Sequence, residues 1–320
     1  MNQLNLLKKM STIVADTSDI ESIKKYKPQD ATTNPSIILK SVNSNSYNHL
    51  IEKAIKYAKK KSTIKQTIAQ LASDKVAINF GKEILKYIPG RISTEIDARY
   101  SFNYHLSVKK AKEIINMYEE EGIEKSKILI KLAATWEGIK ATEILEKQGI
   151  NCNLTLIFSL SQARIAADVG AFLISPFVGR IYDWYIQKNN INLYNVEIDP
   201  GVLSVRNIYQ YYKERSYKTI IMAASFRKIE QILALSGCDY LTISPDLLKL
   251  LKNTQQNTLE QRLKPIFKKK SKKCILSHSE FLFKHNENPM AVEKLSEGIR
   301  CFSNDRIELE KIIYKKLKNL

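Results

Sequence analysis

Lys131 offers the most distinctive chemistry in this chain. It stands in Ile128-Leu129-Ile130-Lys131-Leu132-Ala133, an apolar run of strand character. Successive strand residues face opposite sides, so Lys131 shares a face with Leu129 and Ala133. Ile128, Ile130 and Leu132 form the other face, which is wholly apolar and suited to covering helices. That leaves the lysine pointing inward. Burying an unpaired ammonium costs several kcal/mol, so such a lysine either finds a carboxylate or titrates low. A low-pKa lysine is a Schiff-base nucleophile.

Carboxylates and polar groups end the neighbouring runs. Asp16 closes Ser11–Asp16 and shares a face with Val14; Glu95 closes Arg91–Glu95. In the run from Asn151 to Phe158, Asn151, Asn153 and Thr155 alternate against Cys152, Leu154 and Leu156, which are expected on the outer face. Asp30, Thr32 and Asn34 share one face before Pro35. Each could be only a cap or turn residue. Five strands with polar inward positions around one lysine, however, make a poor core and a good sugar site.

Two later runs add anion chemistry. Ser175 and Phe177 share a face, with Arg180 opening the helical stretch beyond them; Ser225 and Arg227 share parity further on. An arginine fork matches phosphate oxygens, and barrel phosphate sites usually follow the late strands at a helix N-terminus. Alone, either arginine reads as a surface ion pair.

These residues need a scaffold that gathers strand ends. Strands are expected at Thr12–Asp16, Asp30–Asn34, Ile92–Asp97, Lys127–Ala133, Cys152–Phe158, Phe172–Phe177, Thr219–Ser225 and Tyr240–Ile243. Helical periodicity falls at Glu137–Gln148, Ser161–Val169, Val178–Gln187, Ser204–Glu214 and Arg227–Leu235. Ser244-Pro245-Asp246 reads as an N-cap with proline at the first helical position, opening a helix to Lys252. Eight strands alternating with helices predict an α/β fold, a (β/α)8 TIM barrel, with its chemistry at the C-terminal strand ends. Further helical segments are expected at Tyr47–Lys60, Ile64–Ala72, Ala77–Tyr87, Ser279–His285, Pro289–Cys301 and Asp305–Leu317. The expectation is one domain over 1–320, with added helices at about 47–88 and a helical tail at about 279–320.

Several other functions lack their residues. No two glycines lie two apart, which excludes dinucleotide and Gly-rich phosphate loops, and no Walker A motif occurs. His49, His105, His278 and His285 form no metal-spaced set, and Cys152, Cys238, Cys274 and Cys301 contain no C-x-x-C pair. No cofactor or metal is expected. The formal charge of +18 could serve nucleic acid or an anionic membrane, but the lysines scatter along the whole chain. The dense run Lys268–Lys273 reads as a solvated loop. With no signal-peptide pattern and no membrane-length apolar run, the expected location is the cytoplasm, without membrane or nucleic-acid partners.

The segments 14–17 (VADT), 29–36 (QDATTNPS), 90–99 (GRISTEIDAR), 128–133 (ILIKLA), 149–159 (GINCNLTLIFS), 172–185 (FLISPFVGRIYDWY), 199–202 (DPGV) and 224–227 (ASFR) closely resemble transaldolases of the pentose-phosphate-pathway type, as does the tail 289–300 (PMAVEKLSEGIR). The resemblance covers nearly the whole chain. It implies transfer of a dihydroxyacetone unit from sedoheptulose 7-phosphate or fructose 6-phosphate to glyceraldehyde 3-phosphate or erythrose 4-phosphate. By matching position, Lys131 would form the Schiff base, Asp16 would take the C4 hydroxyl proton, and Glu95 and Thr155 would hold a proton-shuttling water. Thr32, Asn34, Asn153, Ser175 and Phe177 would line the sugar site; Arg180, Ser225 and Arg227 would bind phosphate. A homodimer is also implied.

Two rivals stay open. One is a lysine aldolase like the fructose 6-phosphate aldolases, which carry a tyrosine where this chain has Phe177. The other is a basic, non-catalytic nucleic-acid binder.

Overall fold

A computed structural model describes residues 1–189, 195–265 and 276–318. The lysine run 268–273 and Cys274 lie outside the described residues. The eight strands are β1 Thr12–Asp16, β2 Asp30–Thr32, β3 Ile92–Glu95, β4 Ile128–Ala133, β5 Cys152–Ile157, β6 Leu173–Pro176, β7 Ile220–Ala223 and β8 Tyr240–Ile243. All pair in parallel and in chain order, and β8 returns to β1 to close a barrel. This is the (β/α)8 architecture expected from the strand count.

Alternation sorts the strands as the residue types require. Ile128, Ile130 and Leu132 join the large cluster between barrel and helices, while Leu129 meets Val14, Leu173 and Met222 inside the barrel. Those four apolar side chains form a floor. Above it, toward the C-terminal strand ends, lie Thr32, Lys131, Asn153, Ser175 and Thr242. The register sets Asp16 opposite Thr32, Glu95 opposite Lys131, and Lys131 opposite Asn153.

Simple alternation fails at two places. In β5, Leu154 pairs with Ile174 but Ile157 pairs with Pro176, so three steps on β5 match two on β6. Leu156 takes a φ of 57° at this irregularity. Such a bulge reverses the facing of the residues after it. Leu156 joins Phe158 and Phe177, and Ile157 turns to the outer cluster. The expectation that Leu156 faces outward with Cys152 and Leu154 is corrected. Past β7, Met222 faces the barrel interior while Ile221 and Ala223 join the outer cluster. Ser225 would continue outward, but its φ of 61° turns it into the site.

The helices show more differences. Lys65–Leu85 is one helix rather than two segments, because Asp74 and Lys75, which interrupt its apolar pattern, are buried against partners. Tyr104–Glu119 covers β3 and β4 and is missed by sequence periodicity, as are Gln3–Leu7, Ile20–Tyr26 and Pro35–Val42. The helix expected from Ser204 starts at Pro200, capped by Asp199. Pro245 opens its helix as expected, but the Ser244 side chain makes no capping hydrogen bond.

The tail carries a short helix, His278–Asn286, and one unbroken helix, Pro289–Lys318, in place of the two segments expected at Pro289–Cys301 and Asp305–Leu317. The long helix spans two apolar clusters. Its first half places Met290, Leu295, Ile299 and Phe302 against Leu156, Phe158 and Phe177; its second half places Leu309, Ile313 and Leu317 against the pair Asn48–Lys61 and Lys65–Leu85. Each such side chain contributes about 1.5–3 kcal/mol of burial, before chain entropy is counted. Between the clusters, the buried Arg306 joins Asp74 and Glu310, and Glu310 also holds Arg99 beside Asp97. The polar break at Ser303-Asn304 is overridden by this docking.

Candidate active site

Lys131 is 4% exposed, in the polar layer above the barrel floor. Its Nζ lies 3.1 Å from Glu95 Oε2 and donates to the Thr33 carbonyl at 3.3 Å. The buried lysine thus has a carboxylate partner. Burial raises the Glu95 carboxyl above the usual range, and Lys131 opposes that rise. Glu95 Oε2 makes an ion pair but no aligned hydrogen bond, and the buried Thr155 Oγ1 has no hydrogen-bond partner among the described residues.

Asp16 closes β1 and accepts a hydrogen bond from Thr32 Oγ1 at 2.8 Å, one strand away. Burial holds its carboxyl above the usual range against the pull of Lys131, the Thr32 bond and Arg180. A carboxylate kept partly desolvated near a cation suits proton transfer. Thr32 also meets Thr242 of β8 at 3.0 Å.

Asp16, Thr32, Asn34, Lys131, Thr155, Ser175, Phe177, Arg180 and Ser225 line one small cavity at the C-terminal strand ends. Asn34 lies just past β2 and caps the helix Pro35–Val42 by accepting from Ile37 N. Asn153 stands behind the cavity wall, donating to Ser93 Oγ at 3.1 Å and accepting from Ser175 Oγ at 2.7 Å. Its amide is therefore fixed in orientation. Glu95 reaches the cavity through Lys131.

The two arginines differ. Arg180, from the helix Val178–Asn189, lines the cavity with its guanidinium over the rings of Phe177 and Phe302. Burial lowers its pKa, and the charge of Arg227 acts in the same direction. Arg227 is partly exposed at the rim, forked onto Asp183 and donating to Ser225 Oγ at 3.2 Å. Both guanidiniums lend positive charge to this end of the cavity, which would attract an anion.

Sequence reasoning missed Thr242, Met222 and Ala224, which also line the cavity, and Ser93, which holds Asn153. Thr242 could have been found: it is a threonine set between Leu241 and Ile243 in β8. A wider hollow lined by Lys8, Ser11, Lys27 and Asp239 opens at the N-terminal strand ends. That end of a barrel serves stability rather than chemistry. Among the described residues, no group of three or more His, Cys, Asp and Glu side chains could hold a metal, and no helix is long and apolar enough to cross a membrane.

Comparison of the sequence with known proteins identifies its relatives. The family described as Transaldolase/Fructose-6-phosphate aldolase matches residues 13–313. Transaldolase 2 of Salmonella paratyphi A is 56% identical over 317 residues, covering 99% of this chain and 100% of that protein. Transaldolase A of Escherichia coli is 55% identical over 317 residues, again 99% and 100% of the two chains. A closed barrel with a buried lysine–carboxylate pair, matched over nearly all of its length, leaves no ambiguity of kinship: the chain belongs to the transaldolase/fructose-6-phosphate aldolase family.

Proposed function

We propose that this transaldolase transfers a dihydroxyacetone unit from sedoheptulose 7-phosphate or fructose 6-phosphate to glyceraldehyde 3-phosphate or erythrose 4-phosphate, through a Schiff base on Lys131. The observation that carries this reading is the buried Lys131–Glu95 pair opening on the same cavity as Asp16. The Lys131 amine adds to the ketone carbon and water leaves, forming a protonated imine. Glu95 and Thr155 hold the water that moves protons in this step; among the described residues the buried Thr155 Oγ1 has no hydrogen-bond partner, which buried polar groups seldom tolerate. Asp16 then takes the proton of the C4 hydroxyl. The electrons of the C3–C4 bond flow into the imine, the aldose departs, and an enamine stays on Lys131. A protonated imine accepts those electrons far better than a ketone does. The acceptor aldose then reverses the sequence.

Thr32, Asn34 and Ser175 bind the sugar hydroxyls, Asn153 acts on them through the hydrogen bond it accepts from Ser175, and Arg180, Ser225 and Arg227 bind the phosphate. The tail helix packs on both the site and the added helices, which supports one folding unit over the whole chain. The protein works as a cytoplasmic homodimer, a reading supported by its family; sedimentation of the purified enzyme tests the assembly. The chemistry is tested by borohydride reduction with fructose 6-phosphate and peptide mass mapping. A three-carbon adduct on Lys131 alone is expected. An adduct on another lysine, or none with a competent donor, overturns the mechanism.

A further inference from the structure

The helix Pro289–Lys318 reaches the Arg180 guanidinium through Phe302. Among the described residues, that guanidinium has neither a hydrogen bond nor an ion pair. It is held by apolar faces instead: the Phe177 ring centroid lies 5.1 Å away and that of Phe302 5.3 Å away. Phe177 comes from the end of β6 and Phe302 from the tail helix, and both are buried. One turn before Phe302, Gly298 leaves room for the fork. A methyl group there would stand 3.2 Å from Arg180 Nη1 and 2.7 Å from a Leu156 methyl.

An aromatic face attracts a guanidinium through its quadrupole and accepts no strong hydrogen bond from it. The rings therefore orient Arg180 while leaving its N–H groups for a ligand. Arg227 is the contrast, since Asp183 already occupies its fork. The tail helix is itself braced on either side of the contact. Ile299 and Leu295 pack into the cluster around Phe158, and Arg306 is buried against Asp74 and Glu310. Phe302 is thus presented on a rigid support.

We propose that Phe302, together with the bare backbone at Gly298, positions Arg180, so that the tail helix completes the phosphate site and sets the preference for phosphorylated sugars. The proposal rests on Arg180 as the partner of the substrate phosphate. Two readouts in the full-length enzyme test it: inhibition by inorganic phosphate, and imine trapping with fructose 6-phosphate relative to unphosphorylated dihydroxyacetone.

Phe302→Leu keeps an apolar side chain and removes the ring. It should raise the phosphate inhibition constant and lower the trapping preference, each by about fivefold to tenfold. Phe302→Tyr, which keeps the ring face, should restore most of both. Gly298→Ala should act in the same direction with the ring intact, and it decides the matter if Phe302→Leu fails to fold. Folded variants at both positions with unchanged phosphate inhibition and preference overturn the proposal. Arg180→Ala separates the two levels. If it abolishes phosphate inhibition while the tail-helix variants do not change it, only the positioning role falls. If it too leaves inhibition unchanged, the phosphate assignment falls with it.

Discussion

Glu95 and Lys131 occupy one rung of the barrel, paired in the β3–β4 register, with Oε2 and Nζ 3.1 Å apart. The pair gives the buried lysine a carboxylate partner and keeps that carboxylate beside the nitrogen through the reaction. Asp16 serves the same cavity from β1, with Thr32 rather than the lysine as its hydrogen-bond partner. The two carboxylates therefore have separable roles.

Glu95→Gln should slow imine formation, because the groups that pass protons to and from the amine lose their carboxylate. Asp16→Asn should still form the imine with fructose 6-phosphate but fail to cleave it. Loss of one general acid–base group typically costs about a hundredfold to ten-thousandfold in its own step. Rapid-quench borohydride trapping reads the first step and aldose release reads the second. If Asp16→Asn fails to trap donor while Glu95→Gln traps it rapidly, the roles are reversed.

Arg180→Ala and Arg227→Ala should both weaken phosphorylated substrates more than dihydroxyacetone, by about 1.5–3 kcal/mol per lost charged contact. The larger effect belongs to Arg180, whose fork is uncommitted, since Asp183 and Ser225 already engage Arg227. Competition with inorganic phosphate measures it. Equal losses on both substrate types would make the arginines supports of the fold.

Phe177 separates transfer from release. Its ring lines the cavity, edge-on to Phe158 at 5.6 Å, and has no hydroxyl to protonate the enamine or anchor a water. Native enzyme should transfer the three-carbon unit much faster than it releases dihydroxyacetone. Phe177→Tyr should shift the ratio toward release by about fivefold, the worth of one hydrogen bond to the reacting group. Assaying both products with erythrose 4-phosphate present decides it; an unchanged ratio would leave Phe177 as packing.

Glu146 gives a pH dependence of stability. One of its carboxylate oxygens accepts from Cys152 N at 2.8 Å and Phe172 N at 2.7 Å, joining the starts of β5 and β6, and burial raises its pKa to about 6. A carboxyl with a raised folded-state pKa costs stability as pH climbs: the cost is absent below about pH 4.5, grows through about 6 and is complete above it. Glu146→Gln retains an acceptor without the charge. It should gain about 1 kcal/mol over native enzyme at about pH 8, a figure reduced for partial solvation, and lose that advantage at about pH 4. Urea melts at the two pH values test the sign.

The sequence by itself determined that Lys131 faces inward and that eight strands gather polar side chains at their ends. It could do so because a clean alternation such as Ile128-Leu129-Ile130-Lys131 is a local property, readable without any partner strand. It also carried the family resemblance and hence the candidate residues from Asp16 to Arg227. Tertiary structure decided what depends on distant segments. That Glu95, rather than Asp16, pairs with Lys131 comes from the β3–β4 register, a relation between two segments that neither contains. The outward expectation for Leu156 failed because the bulge carries no glycine to announce it; packing against Gly298 and the tail cluster accompanies a φ that leucine alone disfavours. The tail runs as one helix past Ser303-Asn304 because Phe302 on one side and Arg306 on the other are both buried by partners far away in the chain. Periodicity reports how a segment would bury one face; only the assembled barrel supplies what that face is buried against.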